Sequence, residues 1–344
     1  MTEGEPLYLF CYGTLTRPEE QLSALPRAVD GMPDSLPGYR LVASEPSHVD
    51  RSAAGESSRP VAVSSADRRD SISGMRYRVS PEDVWAADVH HVPRYERSRV
   101  HLASGVEAFV YLQPGRQDAA RTLEGLIAAE QRALSLLDII ESRGIVAPGR
   151  SELEIERDIF SIASAQFGVT AHWHDRVVRA GPNTLCVAGE SAPEQIVGKD
   201  DIVFLDLGPV FGDWEADVGR SYAVGSDPEK IRLVADLDIV FDAVRARYIA
   251  DDAITGARLY AIAVEEAERR GWRFGGRIAG HLVGKFPYAR SPAGRDGGRI
   301  SPANAQRMRD PDALGRPRNW ILEIHLVSPN GNFGGFCERL LLPS

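Results

Sequence analysis

The chain has 344 residues, 43% hydrophobic and 26% charged, with a formal net charge of −9. That is enough apolar side chain for two buried cores, and the wrong sign for non-specific attraction to nucleic acid or an anionic membrane. No apolar run reaches the roughly 18 residues of a membrane helix. The acidic start MTEGEPLYLFCYG lacks the basic head of a signal peptide. The three cysteines, Cys11, Cys186 and Cys337, form neither a CxxC pair nor a disulfide ladder, which points to a reducing cytoplasm.

In chain order, LYLFCYGTL is an aromatic-rich apolar run closed by Gly13 and reads as a strand entering a tight turn. Residues 44–72, rich in Ser, Ala, Asp and Arg, read as loop. VHLASGVEAFVYL alternates around ASG and predicts a β-hairpin. QPGRQDAA is polar and reads as a linker, so two domains are expected, 1–116 and 117–344. Past it, RTLEGLIAAEQRALSLLDIIESRG carries Leu and Ile at helical spacing with a glycine stop. SELEIERDIFSIASAQFG predicts a second helix, with Ser151 and Glu154 at the spacing of a capping box. Helices are predicted over 228–249 and 254–270, and strands over 202–207 and 320–326.

Residues 206–217 read DLGPVFGDWEAD. Asp206 ends a predicted strand and Asp217, eleven positions later, starts the returning one. Two such carboxylates can lie side by side in a hairpin, where they repel unless a cation neutralises them. Read alone, they are equally a pair of solvated turn aspartates. His281 stands in IAGHLVGKF between glycines, where backbone can approach a ligand. Glu323 in NWILEIHLV and Glu338 in GGFCERLLLPS interrupt apolar β runs, which is costly unless they are paired or metal-bound. Each has a bland reading: a satisfied core histidine, an edge-strand glutamate. The five together in one domain point to a divalent metal site.

With these residues in place, 118–344 resembles the pita-bread metallohydrolases: methionine aminopeptidase, aminopeptidase P, prolidase and creatinase. Their ligands run Asp, Asp, His, Glu, Glu, with the aspartates eleven apart and the histidine in G-H-x-x-G, matched here by GHLVG; GIVAPGRSELEIERDI is similar to a further family motif. The resemblance implies an α+β chain whose larger domain has a curved sheet. It implies two divalent ions (Mn, Co, Fe or Zn) held by Asp206, Asp217, His281, Glu323 and Glu338, with Glu323 also a general base. The implied partner is a small peptide or amino-acid-derived substrate, and a homodimer is compatible because the family often dimerises.

The family's extra substrate-handling histidines would fall at 187–190, here VAGE, and at Tyr288. The proline usual after the fourth ligand is Ile324, followed by His325. His172, His174 and His325 are candidate replacements, and read equally as packing or surface histidines. Amide hydrolysis is the leading expectation. A metal-dependent non-peptidase acting on an amino-acid-derived metabolite is the second, and a binding protein with a vestigial site the third. The Arg-rich segment 290–318 reads as a substrate-anion loop or a solvated surface loop.

YLFCYGTL, with ADVHHVPRYERSRVHLASGVEAFVYL, resembles a γ-glutamylcyclotransferase-like domain, a small β-barrel with flanking helices. The resemblance implies that Tyr12, Gly13, Thr14 and Leu15 present a carboxylate-binding turn. Aligned through Asp88, Tyr95 and Arg97, the family's acid/base glutamate is His91, so a binding role fits better than the family reaction. Glu82 and Glu96 flank the motif without a spacing that recommends either.

Overall fold

The computed structural model describes residues 6–43, 60–65, 67, 69–91, 95–112, 116–186, 190, 192–286, 298–312 and 316–342. Contacts divide the chain into two compact units, the second beginning at Ala119. Among the described residues no helix is long and apolar enough to cross a membrane.

The first unit runs β1 (Leu7–Cys11), α1 (Pro18–Gln21), β2 (Gly31–Pro37), β3 (Tyr39–Ala43), β4 (Pro60–Ser64), β5 (Ser71–Val79), α2 (Pro81–His91), β6 (Glu96–His101) and β7 (Glu107–Leu112). Five strands form one sheet in the order β2-β5-β1-β7-β6. The central strand β1 buries Leu9, Phe10 and Cys11, on both its faces, as a strand covered on two sides must. The sheet curls until its ends meet: Ala103 N–H donates to Ser35 O at 2.9 Å, and Ser104 Oγ to Asp34 at 2.6 Å. The hairpin read from VHLASGVEAFVYL is β6–β7, turning at Gly105 with φ 82°. The segment 44–72 is not all loop. β4 pairs with β3 and buries Val61 and Ala62. This strand was hidden because it is short and its partner lies far upstream.

The second unit runs α3 (Arg116–Ser142), α4 (Glu152–Phe167), β8 (Val177–Ala180), β9 (Asp201–Leu207), β10 (Val210–Phe211), β11 (Trp214–Glu215), β12 (Val218–Val224), α5 (Pro228–Ala250), α6 (Gly256–Arg269), β13 (Arg273–Phe274), β14 (Trp320–Val327) and β15 (Gly334–Leu341). The first turn of α3 begins at Arg116, inside the segment read as a linker. Its Gln, Asp and Ala residues tolerate a helix although they carry no apolar stripe. α4 starts with the expected capping box, Ser151 Oγ accepting from Glu154 N–H and the Glu154 carboxylate from Ser151 N–H. It stops at Gly168, whose φ of 66° suits glycine.

Six strands form an antiparallel sheet in the order β13-β14-β15-β12-β9-β8. Strand residues two apart share a face. On one face Leu322, Ile324, Leu326 and Cys337 join the core of α5 and α6, while Val203, Leu205, Leu207 and Val218 join that of α3 and α4. Burying each such aliphatic side chain is worth about 1.5–3 kcal/mol. The four helices thus cover one face; on the other, Leu126 of α3 packs on Ile321 and Leu340, and the stretch beside them is left to polar chemistry.

Candidate metal centre

The other face carries a row of chemistry across four strands. Asp206 on β9 stands opposite Gly219 on β12, Gly219 opposite Glu338 on β15, and Glu338 opposite Glu323 on β14. Asp217 is two residues before Gly219 and shares its face. Between the aspartates, β10 and β11 form a small hairpin that folds the chain back. Gly219 is the one member without a side chain; a Cβ there would lie 2.5 Å from the Phe336 ring and 3.1 Å from Glu338 Cβ.

His281 reaches the row from the segment beside β14. Glu323 N–H donates to Ala279 O at 3.1 Å, Ile321 N–H to His281 O at 2.8 Å, and Val283 N–H to Asn319 O at 3.0 Å. Gly280 permits this approach: its φ is 137°, and any Cβ would sit 2.0 Å from Ile321 O. His281 Nε2 then lies 3.0 Å from Asp217 Oδ2 and 3.6 Å from Glu338 Oε1. The close approach that Gly280 serves is thus to β14, rather than to the ligand expected from the sequence.

Crowding governs the electrostatics. Burial, then the neighbouring aspartates, pushes Glu323 up to about 7, although His281 opposes it. Burial does the same to Asp206, to about 6, with His174 opposing and Asp217 adding. Glu338 is driven well above the carboxylate range by burial and by Asp217. Burial also disfavours the charge on Asp217, but hydrogen bonds from His174 and His281 outweigh it and hold this carboxyl below its usual range. Burial works against both imidazolium forms. Even so, Asp217 and Glu338 raise His281 well above normal, and Asp206 with Asp217 lifts His174 to about 9. Such groups want positive charge among them.

The donors fit a divalent cation. Glu323 Oε1 is shut away from solvent with no hydrogen-bond partner. Asp206 Oδ1 also accepts no hydrogen bond, its cationic neighbour His174 Nε2 lying 3.4 Å away. Carboxylate oxygens with imidazole nitrogens suit Mn, Co, Fe or Zn. A cavity of about 850 Å³ opens over the row, lined by Trp173, His174, Arg179, Arg299 and all five residues predicted as ligands, among others.

The other predicted residues divide. His174 lines this cavity. His172 does not; its ring contacts Arg176 at 3.3 Å, and burial holds it down to about 4. His325, expected to be catalytic, lies one row away on the same face. It is wedged between Phe204 and Phe336, contacts Thr184 O at 2.8 Å and is kept below its usual range by burial. It does not reach the cavity, because packing against the aromatic pair takes its ring. Of the Arg-rich segment, Arg299 lines the cavity. Tyr288, 187–189, 290–297 and 313–315 lie outside the described residues.

In the first unit, Tyr12 Oη donates to Tyr111 O at 3.0 Å and accepts from Ala62 N–H at 3.2 Å, and burial pushes the phenol up to about 12. Residues 14–16 make a single 3₁₀ turn, with Thr16 N–H bonded to Gly13 O. Leu15 is buried and its carbonyl accepts from Tyr77 Oη. His91 closes α2, and its side chain lies outside the described residues. Asp88 bonds Arg97 at 3.0 Å and Tyr111 Oη at 2.8 Å, a link between two of the residues on which the alignment was built.

The chain belongs to metallopeptidase family M24, whose model matches residues 124–307. The model for gamma-glutamyl cyclotransferase, AIG2-like, matches 9–144, overlapping the first along α3. No curated protein matches the chain. Among solved structures, prolidase from Thermococcus sibiricus is 21% identical with a TM-score of 0.46, over 62% of this chain and 55% of that one. X-Pro aminopeptidase from Thermotoga maritima MSB8 is 17% identical with a TM-score of 0.49, over 77% and 70%. Xaa-Pro dipeptidase from Bacillus anthracis is 17% identical with a TM-score of 0.48, over 76% and 66%. The chain thus spans little more than half the length of the Thermococcus prolidase.

Proposed function

We propose that the protein hydrolyses an amide bond in a small peptide or amino-acid conjugate, using two divalent ions held by Asp206, Asp217, His281, Glu323 and Glu338. The observation that carries the reading is the cross-strand row of carboxylates, with Glu323 Oε1 unpartnered at the floor of a cavity of about 850 Å³. That volume suits a ligand of dipeptide size. Bound ions would lower the pKa of a water and polarise the scissile carbonyl. Glu323, pushed up to about 7, is poised to accept and return a proton near neutral pH. Arg299, exposed at the cavity wall in a bridge with His281, offers a guanidinium to a substrate carboxylate.

The test is product analysis by mass spectrometry, on a dipeptide panel including proline-containing and γ-glutamyl members, with Mn, Co, Fe or Zn supplied. Cleavage is expected, and Glu323→Gln should lower kcat by about 10²–10⁴-fold. A metal-loaded protein that cleaves no member sinks the peptidase reading. The second reading, a metal-dependent non-peptidase, draws on the cavity wall: Glu152, Glu156, Glu190 and Glu194 with Arg176 and Arg179 make a charged lining suited to a polar amino-acid-derived metabolite.

A further inference from the structure

We infer that His174 is a sixth protein ligand of this centre, so that each of the two ions has its own imidazole. The inference rests on the metal centre proposed above. Asp217 divides its carboxylate between two histidines: Oδ1 lies 3.3 Å from His174 Nε2, and Oδ2 lies 3.0 Å from His281 Nε2. Each imidazole also faces a second carboxylate, Asp206 Oδ1 at 3.4 Å for His174 and Glu338 Oε1 at 3.6 Å for His281. Two three-residue donor sets result, His174/Asp206/Asp217 and Asp217/His281/Glu338, each with its ligating atoms within 4.8 Å of one another. Asp217 is common to both.

The rings are oriented alike. His174 Nδ1 meets the carbonyl of Asp175 at 2.6 Å, and His281 Nδ1 that of Leu282 at 2.9 Å. A carbonyl only accepts, so Nδ1 carries the hydrogen and Nε2 is turned toward the carboxylate oxygens. This is the arrangement of a metal-bound histidine whose outer nitrogen is fixed by a backbone acceptor.

The fold builds this position. Residues 171–174 are stitched to the hairpin that carries both aspartates. Val210 N–H donates to Ala171 O at 3.0 Å, Trp173 N–H to Gly208 O at 2.9 Å, and Trp173 Nε1–H to Ala216 O at 2.9 Å. The imidazole then lies flush against the Gly208 backbone, where a Cβ would come within 2.2 Å of His174 Cδ2 and 2.5 Å of Nε2. With a nitrogen donor on both ions, the centre favours Zn, Co or Fe over Mn.

Co(II) and Zn titrations followed by metal analysis after dialysis, together with the Co(II) visible spectrum, test the inference in the full chain. Wild type should hold two ions. His174→Ala should keep one and bind the other at least ~100-fold more weakly, with a changed Co(II) spectrum. Gly208→Ala, which displaces the ring while leaving histidine in the sequence, should reproduce both effects. His174→Gln replaces the alanine variant if the latter does not fold. Two ions at wild-type affinity and an unchanged spectrum in the His174 variants overturn the inference, provided His281→Ala loses an ion. A wild-type protein that holds no ion overturns this inference and the proposed metal centre together.

Discussion

Asp88 in the first unit and Glu323 in the second are both carboxylates withdrawn from solvent, and their surroundings differ in kind. Asp88 has Arg97 on one oxygen and the Tyr111 hydroxyl on the other. Glu323 has an oxygen with no partner, and the nearby acidic groups only raise its proton affinity further. A buried carboxylate with its donors supplied is part of the framework. One left short, beside others like it and over a cavity, is waiting for a cation.

That contrast is breakable. The largest effect should come from Asp217→Ala, which removes the carboxylate shared by both donor sets: metal analysis should find both ions lost, with folding retained by circular dichroism. Asp88→Ala should lose no metal, yet lower the stability of the first unit by about 3 kcal/mol in denaturant melts, because Arg97 and the Tyr111 hydroxyl each lose a buried carboxylate partner. Equal metal loss in the two variants would erase the distinction.

The pH response sharpens it. Glu323 and Asp206 rise from 4.5 and 3.8 to about 7 and about 6, and His174 rises from 6.5 to about 9. All three folded values exceed the unfolded ones. Their stabilisation is therefore full below the unfolded values and lost as pH climbs through the folded ones. Thermal melts of chelator-treated protein should thus fall in Tm between about pH 4.5 and 9, opposed by His172, which burial holds down from 6.5 to about 4, in the lower part of that window and by Asp217 below it. Added metal should reverse the trend, since binding needs deprotonated ligands. The smallest effect belongs to Ser151→Ala, about 1 kcal/mol of stability from the lost capping box, with metal content unchanged.

Much of this was legible in the residues. The eleven-residue interval between Asp206 and Asp217 and the glutamates set in apolar runs are local patterns, and the sheet brings them into one row. The Ser151 capping box and the Gly168 stop are local too, and both stand in the fold. What local pattern could not convey was partnership at a distance. His174 sits in an irregular segment without periodicity; its place depends on Gly208 backbone more than thirty residues on. His325 looked equally catalytic on paper, and only the packing of Phe204 and Phe336 distinguishes the two. β4 and the start of α3 were missed for the related reason that a short strand needs its partner and a polar helical turn needs its continuation.

The strand order carries a consequence for how the molecule comes into being. β15, the last strand of its sheet in chain order, lies in the middle of it, between β14 and β12. The emerging chain must hold β12 and β14 without their common neighbour until Glu338 arrives. Such long-range closure makes folding slow and leaves two strand edges exposed meanwhile. It also times the proposed chemistry: until β15 is in place the row lacks Glu338, and only the Asp217/His281/Glu338 donor set is left incomplete.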